Sequence, residues 1–181
     1  MDALEQELNK YKYIIFDFDG TIVNLHVDWT SLKNTLARMF NLDFHSLNEG
    51  LKKLNKDERL TAFKVIEKYE SAAEYEVNSK LVRYIYENDK KKYAIFSDNM
   101  MLTISKILTR LGIKNKFELI ISKDSVSNFK PDEEGILKIL NHFDINNSKK
   151  REVIYVGDNK KDEIVAKKVN IKFLNIRKLW R

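Results

Sequence analysis

The stretch Tyr13–Val23 constrains this chain more than any other. It reads Tyr13-Ile14-Ile15-Phe16-Asp17-Phe18-Asp19-Gly20-Thr21-Ile22-Val23, an unbroken apolar run that stops at one aspartate and is followed two positions later by another. A continuous apolar run bounded by a turn signal suits a strand buried on both faces, as in a parallel sheet. On an extended chain residues i and i+2 point the same way, so Asp17 and Asp19 are expected to face one cleft at the strand's end. Two close carboxylates repel when both are ionised, and a divalent metal removes that penalty. A plain Asp-Gly hairpin explains Gly20 but leaves Asp17 unexplained.

The 181 residues suffice for one core and a small inserted domain. Without cysteine, thiolate metal sites and cysteine nucleophiles are excluded. No apolar run approaches the ~20 residues of a membrane span, and the acidic start Met1–Glu7 lacks the shape of a signal peptide, so a cytoplasmic protein without membrane contact is expected. The net charge of +6 admits nucleic-acid binding. The lysines, however, are scattered in twos and threes, as in Lys52-Lys53, Lys90-Lys91-Lys92 and Lys167-Lys168, with no aromatic platform or Gly-rich loop. Attraction of small anions is the safer inference, and nucleic acid is not the expected partner.

Along the chain, residues 2–10 read as a short polar helix before the first strand. From Leu25 to Val77 the pattern is helical throughout, with Asp28 and Asp57 as candidate N-caps and Ser46 with Glu49 as a candidate capping box. Strands are expected at Tyr93–Phe96, Glu118–Ile121, Arg151–Val156 and Lys172–Ile176. Helices are expected at Met101–Leu111, from Pro131 to Phe143, and at Asp162–Val169. The alternation predicts an α/β fold, a doubly wound parallel sheet of Rossmann-like form with a small inserted helical cap domain. The core domain is placed at 1–24 and 78–181 and the insertion at 25–77.

In open α/β sheets ligands bind outside the carboxyl ends of the strands. Those ends carry Asp17 and Asp19, Ser97, and then Asp158 and Asp162. The Ser97 hydroxyl and the backbone amides of Asp98 and Asn99 are candidates for holding a phosphate oxygen at a helix start, although a serine or asparagine there also serves as a plain helix cap. Lys130 precedes Pro131, the only proline, which fixes the lysine at a helix entry with Asp132, Glu133 and Glu134 in the first turn. A positive charge so placed can stabilise a transferring phosphoryl group, although Lys130 also reads as one more surface lysine in a chain with many. Asp162 follows Asp158 by four residues, so both can reach one metal, and oxygen-only ligands point to magnesium.

Asp17-x-Asp19-Gly20-Thr21, Ser97, Lys130-Pro131 and Gly157-Asp158-x-x-x-Asp162 resemble, in order, the four motifs of the haloacid dehalogenase-like (HAD) hydrolase superfamily. The helical block resembles that family's C1 cap, and the layout is most similar to phosphoglycolate phosphatase and β-phosphoglucomutase relatives. The resemblance implies that Asp17 is the nucleophile, forming an aspartyl-phosphate, and a magnesium ligand. It implies that Asp19 is the general acid/base, with its backbone carbonyl on the metal. Ser97, with Asp98 and Asn99 beside it, and Lys130 would bind the phosphoryl group. Asp158 would ligate magnesium with support from Asp162. Two positions depart from the pattern: Asp98 stands where relatives often have asparagine, and Asn170 where glycine is common.

The function so implied is a magnesium-dependent phosphatase for a small phosphorylated metabolite, acting as monomer or homodimer. A phosphomutase of the β-phosphoglucomutase type shares the same core chemistry and is the alternative. A dehalogenase would not need Asp19 or the Asp158/Asp162 pair. A non-enzymatic or nucleic-acid-binding module would not need Asp17, Asp19, Ser97, Lys130 and Asp158 together.

Overall fold

The structure is a computed structural model that describes residues 3–178. In chain order the elements are α1 (Ala3–Leu8), β1 (Tyr13–Phe16), β2 (Val23–Leu25), α2 (Trp29–Phe40), α3 (Leu47–Lys52), α4 (Lys56–Ala72), β3 (Tyr75–Val77), α5 (Ser79–Glu87), β4 (Lys92–Phe96), α6 (Met101–Arg110), β5 (Phe117–Ile121), α7 (Glu134–His142), β6 (Val153–Gly157), α8 (Lys160–Lys168) and β7 (Lys172–Asn175). Short 3-10 turns fill several of the connections. Asp2, part of the first expected helix, lies outside the described residues.

Five strands form one sheet in the order β5-β4-β1-β6-β7, and every pairing in it is parallel. β1 is central, and Ile14, Ile15 and Phe16 have no exposed surface. That is the cause of the unbroken apolar run, because a central parallel strand presents both faces to packed helices. On one face Tyr13, Ile15, Ala94, Phe96, Tyr155 and Val153 pack against Ile136, Ile139 and Leu140 of α7 and Val165 and Ala166 of α8. On the other face Phe16 meets the rings of Tyr93 and Phe117 at centroid distances of 5.9 and 6.3 Å. The predicted α/β sheet is thus present, with β2 and β3 adding a separate two-stranded sheet.

The chain divides into two compact units, Met1–Asn24 with Glu76–Arg181 and Leu25–Tyr75. The second unit is built on α2, α3 and α4, with Leu32, Leu36, Leu51, Ala62 and Ile66 buried. Asp28 caps α2 as expected, accepting from the Ser31 amide at 2.9 Å. Two other capping assignments are corrected. Ser46 precedes α3 but makes no side-chain capping bond, and Glu49 pairs instead with Lys52. The cap of α4 is Asn55, not Asp57, and it closes a reciprocal capping box with Glu58.

Two further differences lie near strand ends. The expected absence of strands between Leu25 and Val77 fails at its margins, where the three-residue strands β2 and β3 are too short to show a period. The helix expected to open at Pro131 begins at Glu134. Asp132 accepts from the Glu134 amide, and the Glu134 carboxylate turns back onto the amides of Ser127 and Asn128. This side-chain-stabilised turn takes the place of a first helical turn, and of the three acidic residues only Glu134 falls within the helix.

Candidate active site

The register of the sheet places the site. Phe16 lies opposite Ile95 on one side and Val156 on the other, so Asp17, Ser97 and Asp158 follow the same sheet edge. Asp17 is 4% exposed, Lys130 3% and Asp162 0%, so three charged groups share one buried space. Lys130 Nζ donates to Asp17 Oδ1 at 2.9 Å and to Asp162 Oδ1 at 2.7 Å. The rings of Phe96 and Tyr155 flank the ammonium, with centroids 4.9 and 5.3 Å away. Cation–π contact and charge pairing together compensate its desolvation.

One ammonium cannot neutralise two carboxylates. Burial pushes the Asp17 carboxyl well above its ordinary range, and the nearby Asp162 pushes it further, against the opposing pull of Lys130. For Lys130, burial disfavours the charge, but Asp162 and Asp17 outweigh it and hold the amine above its usual value. The Tyr155 hydroxyl is raised by burial and then by Asp162, whose Oδ1 it contacts at 2.9 Å. With both carboxylates ionised the trio would carry one negative charge more than its own side chains compensate, and burial and Asp162 drive Asp17 away from that state.

The carboxylates differ in what remains open. Asp17 Oδ1 also accepts from the Phe18 amide at 2.8 Å, which locks the carboxylate plane. Asp162 is committed at both oxygens, to Lys130 and Tyr155 through Oδ1 and to the Asn159 amide through Oδ2. It also completes a capping box with Asn159 at the start of α8, so a structural and a site role coincide in one residue. Asp17, Asp158 and Asp162 each bring an oxygen within 4.8 Å of the others, a cluster able to coordinate a divalent cation.

The loop after β1 fits that cation. A Cβ on Gly20, where φ is +76°, would stand 2.5 Å from Asp158 Cγ. The backbone at Asp19–Gly20 therefore lies directly against the Asp158 carboxylate, which only glycine permits. The donors are all oxygen, as a hard divalent ion requires. Gly20→Ala is expected to fold with a loss of about 1–3 kcal/mol and to bind a divalent cation at least tenfold more weakly, read from a urea titration and a divalent-ion titration of the same protein.

The remaining expected residues are at this edge in different settings. Asp19 is half-buried in the turn after β1, within a bridge to Val23. Ser97 Oγ donates to Asn99 Oδ1 at 2.9 Å and accepts from the Asn99 amide at 3.2 Å, so that amide is turned inward to Ser97. Asp98 faces Lys161 at 3.6 Å and accepts from the Lys130 amide at 3.4 Å. Its negative charge, unexpected beside the expected phosphate site, is thus met by one cation, Lys161, and one backbone amide. Asn170 adopts φ +56°, the left-handed conformation that glycine would otherwise supply.

Two residues of the site were not anticipated. Tyr155 reads in sequence as one more apolar core position. Arg177 donates from Nε and Nη2 to Asp158 Oδ2 at 3.0 and 2.7 Å. It follows the end of β7, so extending the strand-end rule to the last strand would have flagged it.

The pattern Asp17, Lys130, Asp158 and Asp162 on one parallel-sheet edge is matched by a family comparison, in which the haloacid dehalogenase-like hydrolase model covers residues 14–176. The chain belongs to the haloacid dehalogenase-like hydrolase family. A pyrophosphatase PpaX from Listeria welshimeri is 40% identical over 89 residues, which are 49% of this chain and 39% of that protein. The match thus spans about two-fifths of the length of that relative. A phosphoglycolate phosphatase from Colwellia psychrerythraea is 25% identical, with 91% of this chain and 84% of the relative covered. A haloacid dehalogenase-like hydrolase structure from Bacteroides fragilis superposes with a TM-score of 0.69 at 19% identity, covering 91% of this chain and 87% of that one, and so shares the HAD fold. The family expected from the four motifs is the family found.

Proposed function

We propose that this chain is a magnesium-dependent phosphatase acting on a small phosphorylated metabolite or on pyrophosphate, through an aspartyl-phosphate on Asp17. The observation that carries the reading is the buried trio of two carboxylates and one ammonium, with Asp17 Oδ1 held by Lys130 and the Phe18 amide. That leaves Oδ2 as the oxygen for attack. Asp17 Oδ2 forms a bond to phosphorus as the bond from phosphorus to the leaving oxygen breaks, and Asp19 donates a proton to that oxygen. Asp19 then takes a proton from water as the water oxygen attacks the phosphoryl group, and Asp17 is released as carboxylate. Lys130 stabilises the negative charge on Asp17 and on the phosphoryl oxygens, and the Ser97 hydroxyl would support the latter on turning from Asn99 Oδ1, to which it donates in this structure. Asp162 holds Lys130 in place.

Asp17, Asp158 and the Asp19 carbonyl would hold magnesium, with Asp162 behind Lys130. When bound, the ion neutralises phosphoryl charge and lets Asp17 stay ionised despite burial. The names of the pyrophosphatase and phosphoglycolate phosphatase relatives support small anionic substrates. Among the described residues no helix is long and apolar enough to cross a membrane.

The test is phosphate release from pyrophosphate, phosphosugars, phosphoglycolate, a phosphopeptide and 5′-phosphorylated DNA, with magnesium and with excess chelator. Turnover is expected to vanish with chelator and return with magnesium, and kcat/KM for the best small substrate to exceed the two macromolecular ones by about a hundredfold or more. Full turnover in chelator defeats the mechanism, and a DNA end matching the best metabolite defeats the substrate class.

A further inference from the structure

The sheet's register aims one residue at the proposed cation site that the mechanism does not use. Asn175 of β7 lies opposite Gly157 of β6, the residue before Asp158. The Asn175 side chain accepts from the Arg177 amide at 3.0 Å and turns the chain just past the strand end. The turn directs the guanidinium back onto Asp158 Oδ2 in a two-pronged contact. Asp158 is buried, whereas the Arg177 side chain is 70% exposed. One partner is therefore fixed in the fold and the other is free to swing into solvent. Gly20, Asn24, Asp158 and Arg177 line an open cavity of about 310 Å³, which gives the guanidinium room to move.

We infer that Arg177 is a built-in competitor for the cation at Asp158: its guanidinium pairs with the carboxylate a divalent ion needs, and the strength of that pair sets the affinity for the ion. The inference rests on Asp158 being a metal carboxylate, as proposed above. The second oxygen, Asp158 Oδ1, is contacted only by the Asn159 side-chain amide at 3.2 Å among the hydrogen bonds described for it. An ion bound to Asp158 places its charge beside the guanidinium, and the two repel. Releasing Arg177 is inexpensive because its side chain is mostly in water already, where ion pairs are weak. The competition is therefore a modest brake on ion binding.

The experiment titrates the protein with MnCl2 while electron paramagnetic resonance follows the free ion, and repeats the titration with MgCl2 as competitor. Wild type, Arg177→Gln, Arg177→Lys and Asp158→Asn are compared, each with its Tm. Arg177→Gln is expected to bind Mn2+ about three- to tenfold more tightly. Arg177→Lys, which keeps the charge without the fork, is expected to fall between it and wild type. Asp158→Asn is expected to bind at least tenfold more weakly. If Arg177→Gln binds the ion more weakly while Asp158→Asn loses it, Arg177 orients the carboxylate rather than competing, and the inference fails alone. If Asp158→Asn binds as wild type does, the site reading fails and takes the inference with it. A merely structural Arg177 would lower the Tm of both arginine variants and leave the ion affinity where it was.

Discussion

Asp17→Asn is expected to lower kcat by at least about 10⁴-fold and to leave the protein as stable as wild type or more so. The two effects share one cause. Asp17 is the attacking group in the proposed reaction, and it is also a buried carboxylate that burial and Asp162 drive toward protonation. The sign of the pH dependence follows from that direction. A carboxyl whose folded pKa is raised favours folding below its unfolded pKa, and that contribution is lost as pH rises through the folded value. Asparagine does not titrate, so the Tm advantage of Asp17→Asn should widen as pH climbs out of the ordinary carboxylate range toward neutrality. Thermal melts of both proteins without divalent ions, from pH 4 to pH 8, measure it. A variant that keeps wild-type turnover removes Asp17 from the chemistry. A Tm gap that narrows with rising pH would mean the site does not penalise its ionised form.

Lys130→Met is expected to cost about 3–5 kcal/mol of stability near neutral pH, the usual result of stripping one partner from a buried ion cluster. A domain with about 5–15 kcal/mol in hand would lose a large share of it. The reason is specific to this site: methionine fills much of the space between Phe96 and Tyr155, but Asp17 and Asp162 then face each other with no ammonium between them. Protonating one carboxylate relieves the repulsion, so the deficit should shrink as pH falls. Adding Asp162→Asn to Lys130→Met should recover part of the loss at pH 7.5, because one of the two opposed charges is gone. Urea denaturation of the single and double variants at pH 7.5 and pH 5 tests all three statements. A single variant within 1 kcal/mol of wild type at pH 7.5 would show that the trio is not held by its charges. Turnover should fall by about 10³-fold or more with the lysine gone.

The parts of the fold that could be read from sequence were those in which burial acts on consecutive residues. β1, β4 and β6 lie inside the sheet and are covered on both faces, so their apolar runs are continuous and end where the backbone reaches the site edge. Asp17, Ser97 and Asp158 were legible for that reason: packing alone gives a fully apolar strand no use for a polar residue at its buried end. Less could be read where side chains choose among competing local bonds. Asn55 and Asp57 are both credible helix caps, and only the reciprocal bond with Glu58 decides between them. The start of α7 depends on Glu134 folding back to Ser127 and Asn128, a choice made by the loop's shape. Tyr155 and Arg177 act through tertiary contacts alone. A tyrosine in an apolar strand looks like packing, and an arginine near a chain end looks like surface, until the register of the sheet brings each to an aspartate.

The central position of β1 has a further consequence for how the molecule is made. Its neighbours are Lys92–Phe96 on one side and Val153–Gly157 on the other, so the second is synthesised about 140 residues after β1 itself. At a translation speed of about 5–20 residues per second, β1 waits roughly 7–30 s for its last partner. During that interval a wholly apolar strand has an open edge, and the aspartate that follows it lacks Asp158 and Asp162 throughout and Lys130 for most of the time. Nascent chains stalled before Val153 would carry β1 with one edge uncovered, and the carboxylate cluster would be complete only once Asp158 and Asp162 had been made.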